Sequence, residues 1–414
     1  MKQLIYWIKL FLLLQFLFFL FALISALLPS GKIIHNIRLS AKEYKYTNMY
    51  ETPFIRSVPH QSDNFTDFLI LTLNYHVESK KPLKHVMIPE GKFSNEDLLE
   101  ATTHLNHSIK HRGEENTFFY GRYWHGSTFF YRWLLLAGSY STVRYINFIL
   151  TSLVLFGFCR SLGKRLNGYQ FYGLLGGMVL VNFYMIFMSM QFAPVFIVTM
   201  IGSIFLLKRM EQNKSVVPLF FILGALTCYF DLLTVPIISL GIPMLVWACV
   251  KEQDGKLVKS ILEIIKNSVI WGIGYVGSWS FKWLLIAIFT NHSIAEEVSG
   301  KLTERAGVWK GSRMDVLPMN FDLLELPLFY IVIAVLGLLI TFFFTQKRWY
   351  LSVLFLFIAL MPIAWLLVTA QHAQLHNWFT YRSLWVTLSG VLLALANLVD
   401  WEKVNRLFKK REVA

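Results

Sequence analysis

Two basic residues, Arg122 and His125, stand among aromatic residues in the stretch YGRYWHG, just before the chain becomes apolar near Phe129. Cationic donors at a dry interface stabilise phosphate strongly, so this pair suits the phosphate of an anionic lipid head group. A second interpretation stays open, in which the stretch is an interfacial belt of Trp and Tyr with a snorkelling Arg. Lys282 lies in the outer half of an apolar run, where an ammonium usually marks a ligand or ion partner. Snorkelling towards the interface is its alternative.

Asp231 and a pair of histidines are further groups of chemical interest. Asp231 joins two apolar runs with almost no loop, and an acid at that depth is costly unless it is paired or wet. It is either a site residue or the N-cap of the helix that starts at Leu232. His372 and His376 are four apart, a spacing that can bind a metal, but no HExxH glutamate and no third clear ligand accompanies them.

An acidic pair lies in a long polar stretch that follows the first apolar run. Connections of such length without a role are uncommon, so this stretch is expected to have one. Asp63 and Asp67 are four apart and therefore share one face of a helix that we predict over residues 63–77. A second amphipathic helix is predicted over 94–110, because Ser94 opens a capping-box pattern there.

The composition is that of an integral membrane protein. Of the 414 residues, 55% are hydrophobic and 16% are aromatic, and the mean hydropathy is +0.50. These values are too apolar for a soluble domain. The net charge of +14 does not indicate nucleic-acid binding, because many Lys and Arg residues flank apolar runs, as topology signals do. The three cysteines lie in or at the ends of apolar runs, so neither a disulfide framework nor a zinc site is indicated.

Apolar runs of bilayer length predict an all-α polytopic membrane protein with about ten transmembrane helices. With the amino terminus inside, the short connections rich in Lys and Arg all fall on one face, so both termini are predicted to be cytoplasmic. The predicted parts are a first transmembrane helix (5–28), an exterior loop with amphipathic helices (30–128), a transmembrane bundle (129–399) and a basic cytoplasmic tail (400–414). The predicted transmembrane helices cover 5–28, 143–162, 169–187, 191–208, 216–230, 232–250, 268–290, 326–345, 350–370 and 383–399.

Two shorter connections on the predicted outer face hold the remaining chemically interesting groups. The first, from 291 to 322, carries Glu296 among several other acids and bases. The second, from 371 to 382, is rich in polar and aromatic residues. It contains His372, His376, Trp378 and Arg382. The charged and histidine side chains are thus expected on the same side of the membrane as the exterior loop.

Two other patterns have structural interpretations. Residues 251–266 have apolar positions at helical spacing, which indicates either an amphipathic helix on the cytoplasmic surface or a plain basic linker. Gly272, Gly274 and Gly277 form a literal GxGxxG, but they lie inside a predicted span with no preceding strand. Close packing of helices at small residues is the better account of these glycines.

The arrangement resembles the GT-C superfamily of membrane glycosyltransferases, which includes oligosaccharyltransferases, protein O-mannosyltransferases and aminoarabinose transferases. The shared features are a first span, a large exterior loop with two amphipathic helices and an early acidic motif at Asp63 and Asp67, and a bundle of closely connected spans. Acidic, basic and histidine residues on the outer face complete the likeness. It covers the architecture of most of the chain, while Asp63 lies farther from the first span than the acidic pair of the family usually does.

The resemblance implies transfer of a hexose or pentose from a polyprenyl-phosphate carrier to a glycan or lipid acceptor of the cell envelope, at the outer face of a bacterial cell membrane. Asp63 or Asp67 would take the proton from the acceptor hydroxyl as it attacks the anomeric carbon with inversion. Positive charge would stabilise the departing phosphate. A divalent cation, Mg²⁺ or Mn²⁺, is left open, and no nucleic acid is expected. The implied phosphate-binding residues are Arg122, His125, Lys282 and Arg382, and the implied sugar- or acceptor-binding residues are Asp231, Glu296, His372, His376 and Trp378.

Other classes of protein stay open. A polymerase or ligase of cell-surface polysaccharide would share the bundle and the cations on the outer face. A transporter or lipid flippase would need polar groups through the bilayer midplane, and apart from Lys282 and Asn182 the predicted spans lack them. A non-enzymatic membrane assembly factor is the last alternative.

Overall fold

The computed structural model of this protein is built mainly from α-helices. It describes residues 2–52, 57–91, 100–112, 118–251, 257–290, 294–324 and 326–412. Within these residues, the strands are the two-residue segments β1 (Glu90–Gly91) and β2 (Phe118–Phe119), which pair antiparallel. The prediction of an all-α protein is confirmed for this part of the chain.

The amino-terminal third of the chain combines one long apolar helix with shorter amphipathic ones. A 3₁₀ turn at Val58–His60 leads towards the helix that carries the acidic pair. The helices of this part are α1 (Lys2–Leu27), α2 (Ser30–Glu43), α3 (Asn64–His76), α4 (Pro82–Met87), α5 (Thr103–Lys110) and α6 (Gly126–Leu134). We call residues 28–134 the exterior segment, after the side of the membrane that the sequence predicts for most of it.

The rest of the chain forms the bundle. Its 3₁₀ turns lie at Phe183–Met188, Arg313–Asp315 and Tyr381–Leu384. Its first helices are α7 (Tyr140–Gly163), α8 (Gly168–Leu180), α9 (Ala193–Glu211), α10 (Val217–Phe230), α11 (Ile238–Val250), α12 (Leu257–Phe289) and α13 (Ile294–Ala306). They are followed by α14 (Val316–Phe321), α15 (Leu326–Phe343), α16 (Trp349–Val368), α17 (Ala370–Leu375), α18 (Asn377–Thr380), α19 (Trp385–Ala396) and α20 (Trp401–Glu412).

Six helical segments in the described part of the chain are long and apolar enough to cross a membrane. This number supports an integral membrane protein but is smaller than the ten predicted crossings. Each of the other predicted crossings overlaps a helix that is shorter or less apolar. The six segments are Lys2–Leu27, Tyr140–Gly163, Ala193–Glu211, Leu257–Phe289, Trp349–Val368 and Asn377–Ala396, and the shorter apolar helices are Val217–Phe230, Ile238–Val250 and Pro327–Phe343.

Three local predictions have different outcomes. Of the two interpretations of 251–266, the linker is wrong for residues 257–266, because these residues are helical. They form the first turns of the continuous 33-residue helix α12, which runs on into the predicted crossing. The predicted capping box at Ser94 lies outside the described residues, and the helix that was expected over 94–110 is observed as α5. Helix α2 was not predicted, although Ile33, Ile34 and Ile37 give it a buried apolar stripe.

The GxGxxG glycines have different surroundings in α12. A side chain at Gly274 would collide with the backbone oxygen of Phe221 in α10, and a side chain at Gly224 of α10 would collide with the backbone oxygen of Trp271. This close approach confirms helix packing for Gly274. At Gly272, by contrast, a Cβ atom would meet nothing within 4 Å.

Two buried cations bind the carbonyl ends of helices. Lys282 of α12 joins the exterior segment to the bundle, and Arg132 of α6 joins helices within the amino-terminal third of the chain. Nζ of Lys282 donates to the carbonyl oxygens of Val86 (2.5 Å) and Met87 (2.9 Å) at the end of α4. The Arg132 guanidinium donates to the carbonyl oxygens of Ser25 (2.9 Å) and Asn74 (3.1 Å), near the ends of α1 and α3. Positive charge at a helix carboxy terminus meets unsatisfied carbonyl groups and the negative end of the helix dipole.

The bundle has two ends with different contacts. At the end that carries the exterior segment, the backbone N–H of Tyr140 in α7 donates to Oγ of Ser40 in α2 (2.8 Å). At the opposite end, Asn397 after α19 donates to the carbonyl oxygen of Arg348 before α16 (2.9 Å). Helices α7, α12 and α16 run from one end of the bundle to the other. The carboxy-terminal ends of α12 and α16 lie at the end that carries the exterior segment, so the residues that follow these two helices contact it.

Candidate functional site

A cavity of about 260 Å³ lies between the exterior segment and the residues that follow α12 and α16. We call it the Asp63 cavity. Helices α3, α13 and α17 each contribute to its wall, so segments far apart in sequence meet there. Its polar and aromatic lining includes Tyr50, Asp63, Thr66, Tyr120, Arg122, Gln191, Lys301, Glu304, Arg305, His372, His376 and Trp378.

Asp63 is the N-cap residue of α3 and is 2% exposed. Its Oδ1 accepts from the backbone N–H of Thr66 (2.8 Å), and its Oδ2 accepts from the Thr66 hydroxyl (3.0 Å). Burial raises the pKa of Asp63 to about 6, although the bonds from Thr66 and the proximity of Trp378 and Arg382 act in the opposite direction. A carboxyl group with this pKa is ionised near neutral pH and can then accept a proton.

Asp67 is equally buried but does not line the Asp63 cavity. Its Oδ2 accepts from the hydroxyl of Tyr140 (2.6 Å) and from the backbone N–H of Met190 (3.1 Å). Its Oδ1 accepts from the backbone N–H of Gln191 (3.0 Å). Burial raises the pKa of Asp67 to about 7. With three donors from the protein, Asp67 connects α3 to α7 and to the residues before α9.

Three cations line the Asp63 cavity. The guanidinium of Arg122 lies 4.3 Å from the ring centre of Tyr120, and that of Arg305 donates through Nη2 to the hydroxyl of Tyr123 (2.7 Å). Lys301 pairs with Glu304 at 2.5 Å, and with Asp63 ionised two acids of the lining face three cations. A cavity wall with this excess of positive charge is suited to an anion such as a phosphate.

Sequence reasoning selected Arg122 for phosphate but missed Lys301 and Arg305. Both belong to α13, where their spacing of four residues places them on one face of the helix. The stretch 294–306 was treated as part of a loop. The apolar pair Ile294 and Val298 could have indicated this helix, because the two residues are also four apart. In the structure both are buried against α12.

Two histidines and a tryptophan contribute neutral polar groups to the Asp63 cavity. Burial lowers the pKa of His376 to about 4 and places that of His372 well below its ordinary value, with the charge of Arg305 acting in the same direction. Both rings are therefore neutral at pH 7. Nε2 of His372 donates to the carbonyl oxygen of Leu233 (2.9 Å), and the His376 and Trp378 ring centres are 5.1 Å apart. Such rings can hydrogen-bond hydroxyl groups and pack against a sugar.

Several buried polar atoms of cavity-lining residues lack a hydrogen-bond partner in the described part of the chain. Gln191 is the clearest case, since it is only 6% exposed and its Oε1 accepts no bond there. Buried polar groups are nearly always paired in folded proteins, so this concentration indicates a ligand site. The other atoms are Nη1 of Arg305 and Nδ1 of His376.

Two of the selected cations lie outside the lining and have partners within the protein. Lys282 binds the carbonyl end of α4, as described above. Arg382 donates to the carbonyl oxygens of Trp378 (2.8 Å) and Pro59 (3.1 Å). Its positive charge opposes the rise that burial causes in the pKa of Asp63.

His125, Asp231 and Glu296 also lie outside the lining of the Asp63 cavity. His125 precedes α6 in a left-handed conformation (φ 59°), and its Nε2 donates to the carbonyl oxygen of Tyr120 (2.6 Å). Both carboxylate oxygens of Asp231 accept from the backbone N–H of Thr234 (3.0 Å each). The side chain of Glu296 is exposed on α13.

No metal-binding constellation is evident in the described part of the chain. A group of three or more His, Cys, Asp or Glu side chains with metal-site geometry does not occur there. His372 and His376, whose spacing suits a metal, have ring centres 4.8 Å apart, and among the described residues they form no group with a third side chain that could hold a metal ion.

Comparisons with known proteins give no match. No family model, no curated protein and no solved structure is similar to this chain at a significant level. The function is therefore argued from the chemistry of the Asp63 cavity.

Proposed function

We propose that this protein is a membrane glycosyltransferase that uses a sugar linked to a polyprenyl phosphate. The observation that carries the proposal is that Asp63 shares one cavity with Arg122, Lys301 and Arg305. Glycosyl transfer from a phosphate-linked donor needs these two functions together, a base for the acceptor and cations for the leaving group.

In the proposed reaction, the acceptor hydroxyl oxygen attacks the anomeric carbon and forms the new glycosidic bond. The bond between that carbon and the phosphate oxygen breaks, and its electron pair leaves with the phosphate. Asp63 accepts the proton of the hydroxyl group. One carboxylate is sufficient for inversion here, because the phosphate leaves without protonation, unlike the leaving group in most glycosidases.

We assign the base to Asp63 rather than Asp67. The carboxylate of Asp67 already accepts from Tyr140, Met190 and Gln191, so taking up a proton would weaken its bonds to donors of the protein. The carboxylate of Asp63 belongs to the cavity wall, where an acceptor can approach.

The cations are assigned to the phosphate and the neutral rings to the sugar. A guanidinium group can bind two phosphate oxygens at once, which suits Arg122 and Arg305. His372, His376 and Trp378 offer hydrogen bonds and ring surface for sugar hydroxyls. The cavity volume of about 260 Å³ lies just below the usual range of about 300–1,000 Å³ for small-molecule pockets, which favours one monosaccharide over a longer glycan.

The position of the cavity suits a donor with a lipid tail. Helix α16 ends at Val368, and the cavity-lining residues Gln371 and His372 follow within one turn. A polyprenyl chain can then stay among apolar helices while its phosphate reaches the cations. The positive-inside rule favours an outer location for this end, so we propose that both termini are cytoplasmic and that the acceptor belongs to the cell envelope.

A transfer assay tests this proposal. Purified protein in lipid nanodiscs is mixed with radiolabelled polyprenyl-phosphate hexoses and pentoses and with an envelope extract as the source of acceptors. We expect label to move from at least one donor, and we expect Asp63→Asn to reduce the rate by about 10²–10⁴-fold, as for loss of a general base. Asp322→Asn, which changes an exposed acid outside the cavity, is the matched control and should retain the wild-type rate. Full transfer by Asp63→Asn would exclude Asp63 as the base, and failure to use any of the donors would contradict the proposed reaction.

A further inference from the structure

A large apolar groove lies at the end of the bundle opposite the Asp63 cavity. It has a volume of about 1100 Å³ and is bounded by α8, α15 and α19. Its walls include Val179 of α8, Leu336 of α15 and Leu392 of α19. We call it the lateral groove. It is larger than the pockets of about 300–1,000 Å³ that hold drug-sized molecules, so it has room for a lipid chain.

Helix α15 is apolar around much of its circumference. Ile331, Val335 and Leu338 are 61%, 52% and 60% exposed, so this surface is not covered by the described part of the protein. An apolar helix of this kind is stable when its surface faces lipid tails. A lipid chain can therefore pass from the bilayer into the lateral groove along α15 without crossing polar surface.

Charged residues of both signs line the polar mouth of the lateral groove, and with Lys403 and Arg406 beside them the basic residues outnumber the acids. Lys347 and Arg348, in the connection between α15 and α16, line it together with the acids Asp400 and Glu402. Each of these acids lies 3.6 Å from a basic residue near the start of α20. Within the described residues, neither Lys347 nor Arg348 forms an ion pair with a carboxylate. Both cations are exposed at the mouth.

Aromatic side chains border the same mouth. Tyr169 of α8 and Trp401 of α20 are stacked, with ring centres 5.9 Å apart and an angle of 8° between the rings. Tyr and Trp are enriched at the level of lipid head groups, because their rings are amphipathic. The mouth therefore combines the aromatic and basic residues that are typical of a membrane interface.

We propose that the lateral groove binds an anionic phospholipid, with the phosphate between Lys347 and Arg348 and an acyl chain between α8 and α15. Basic side chains at a membrane surface attract anionic head groups, and burial of the chain removes apolar surface from water. Because the lateral groove and the Asp63 cavity lie at opposite ends of the bundle, this inference is independent of the proposed glycosyl transfer.

Native mass spectrometry of the full chain in detergent tests the head group. The probes are phosphatidylglycerol and phosphatidylcholine with identical acyl chains, and the dissociation constant of each is measured. We expect phosphatidylglycerol to bind at least tenfold more tightly. The double variant Lys347→Gln/Arg348→Gln should lose this preference, because each basic residue near an anionic lipid changes the affinity by about fivefold. The matched control is Lys208→Gln/Arg209→Gln, an adjacent Lys–Arg pair at the end of α9 that does not line the groove.

The variant Val179→Trp tests the position of the acyl chain. Val179 lines the lateral groove and is 46% exposed, so a larger ring fills groove space without entering a packed core. It should weaken the binding of both lipids by about tenfold, while the melting temperature in detergent stays at the wild-type value. Equal binding of the two lipids by the wild-type protein would overturn the proposal. So would full binding by the double variant or by Val179→Trp, or displacement of phosphatidylglycerol by an equal concentration of polyprenyl phosphate.

Discussion

Asp63 is the N-cap residue before α3 and Asp67 lies in the first turn of that helix. Both are 2% exposed, but their carboxylates contact different groups. Asp67 accepts from Tyr140, Met190 and Gln191, which belong to three separate contacts outside its own helix. Asp63 accepts from Thr66 in its own helical turn and lines a cavity with three cations.

The difference shows that burial and a raised pKa are not sufficient to identify a reactive acid. Burial raises the pKa of Asp63 to about 6 and that of Asp67 to about 7, so by this criterion the two are alike. What separates them is the source of their hydrogen-bond donors and their access to a ligand. We call the region around Asp67, Tyr140 and Met190 the Asp67 cluster and expect substitutions there to affect stability rather than catalysis.

After Asp63→Asn, the largest effect that distinguishes the two regions is expected for Arg305→Gln in the Asp63 cavity. Loss of this guanidinium removes a donor from the departing phosphate, so the rate of transfer should fall by about 10²-fold or more. The free energy of unfolding should change by only about 1 kcal/mol, because one hydrogen bond to Tyr123 is lost. The rate and the melting curve are measured on the same nanodisc preparation.

Arg38→Gln is the matched control for Arg305→Gln. Arg38 also donates to a tyrosine hydroxyl, that of Tyr75 (3.2 Å), but it does not line the Asp63 cavity. It should lose a similar amount of stability and retain full transfer. If both variants retained full transfer, Arg305 would have no part in binding the phosphate.

A smaller effect, on stability, is expected for Asp67→Asn. An amide has one oxygen and one NH₂ group, so it cannot accept from Tyr140, Met190 and Gln191 in the same arrangement. Leaving a buried donor without its acceptor should lower the free energy of unfolding by about 1–3 kcal/mol. The measurement is the melting curve, together with transfer per folded molecule, which should stay near the wild-type rate. A loss of transfer as large as that of Asp63→Asn, without a loss of stability, would reverse our assignment of the two acids.

Much of the helical architecture could be predicted because apolar runs are a local property of sequence. Every predicted crossing overlaps an observed helix, from Lys2–Leu27 to Asn377–Ala396. The number of crossings was predicted less well than the helices themselves. Ten apolar runs look alike in the sequence, but some of them form helices of crossing length and others form shorter helices such as Gly168–Leu180. Length depends on where turns such as Phe183–Met188 interrupt the helix.

The candidate site was predicted in part, because the types and spacing of charged and aromatic residues are visible in the sequence. Arg122 suits a phosphate, and His372 and His376 stand four apart on the predicted outer face; all three line the Asp63 cavity. The cost of a charge at an apolar run pointed instead to Lys282 and Asp231, whose cost is offset by backbone partners: Lys282 binds two carbonyl oxygens and Asp231 accepts a backbone N–H. A sequence shows that a charged residue lies in an apolar run and is therefore costly to bury. It does not show which group of the protein pairs with that charge, because the pairing depends on tertiary contacts.

The smallest effect is expected for Thr66→Val, which changes the pKa of Asp63 but leaves the residue in place. The Thr66 hydroxyl donates to Oδ2 of Asp63 (3.0 Å) and so favours the ionised form, while the backbone N–H of residue 66 remains as a donor. Loss of the hydroxyl should raise the pKa of Asp63 above its value of about 6. A hydrogen bond to a charged group is worth about 1.5–3 kcal/mol, so the increase should be on the order of one unit.

Because the proposed base must be ionised, transfer rises with pH through the pKa of Asp63. Thr66→Val should therefore move the acidic limb of the pH–rate profile to higher pH, and the rate at the alkaline plateau should stay unchanged. Thr72→Val is the control, since Thr72 lies in the same helix and donates to the carbonyl oxygen of Phe68 rather than to a carboxylate. An unchanged acidic limb in Thr66→Val would mean that another group controls the proton transfer. A shift in Thr72→Val as well would attribute the change to α3 as a whole.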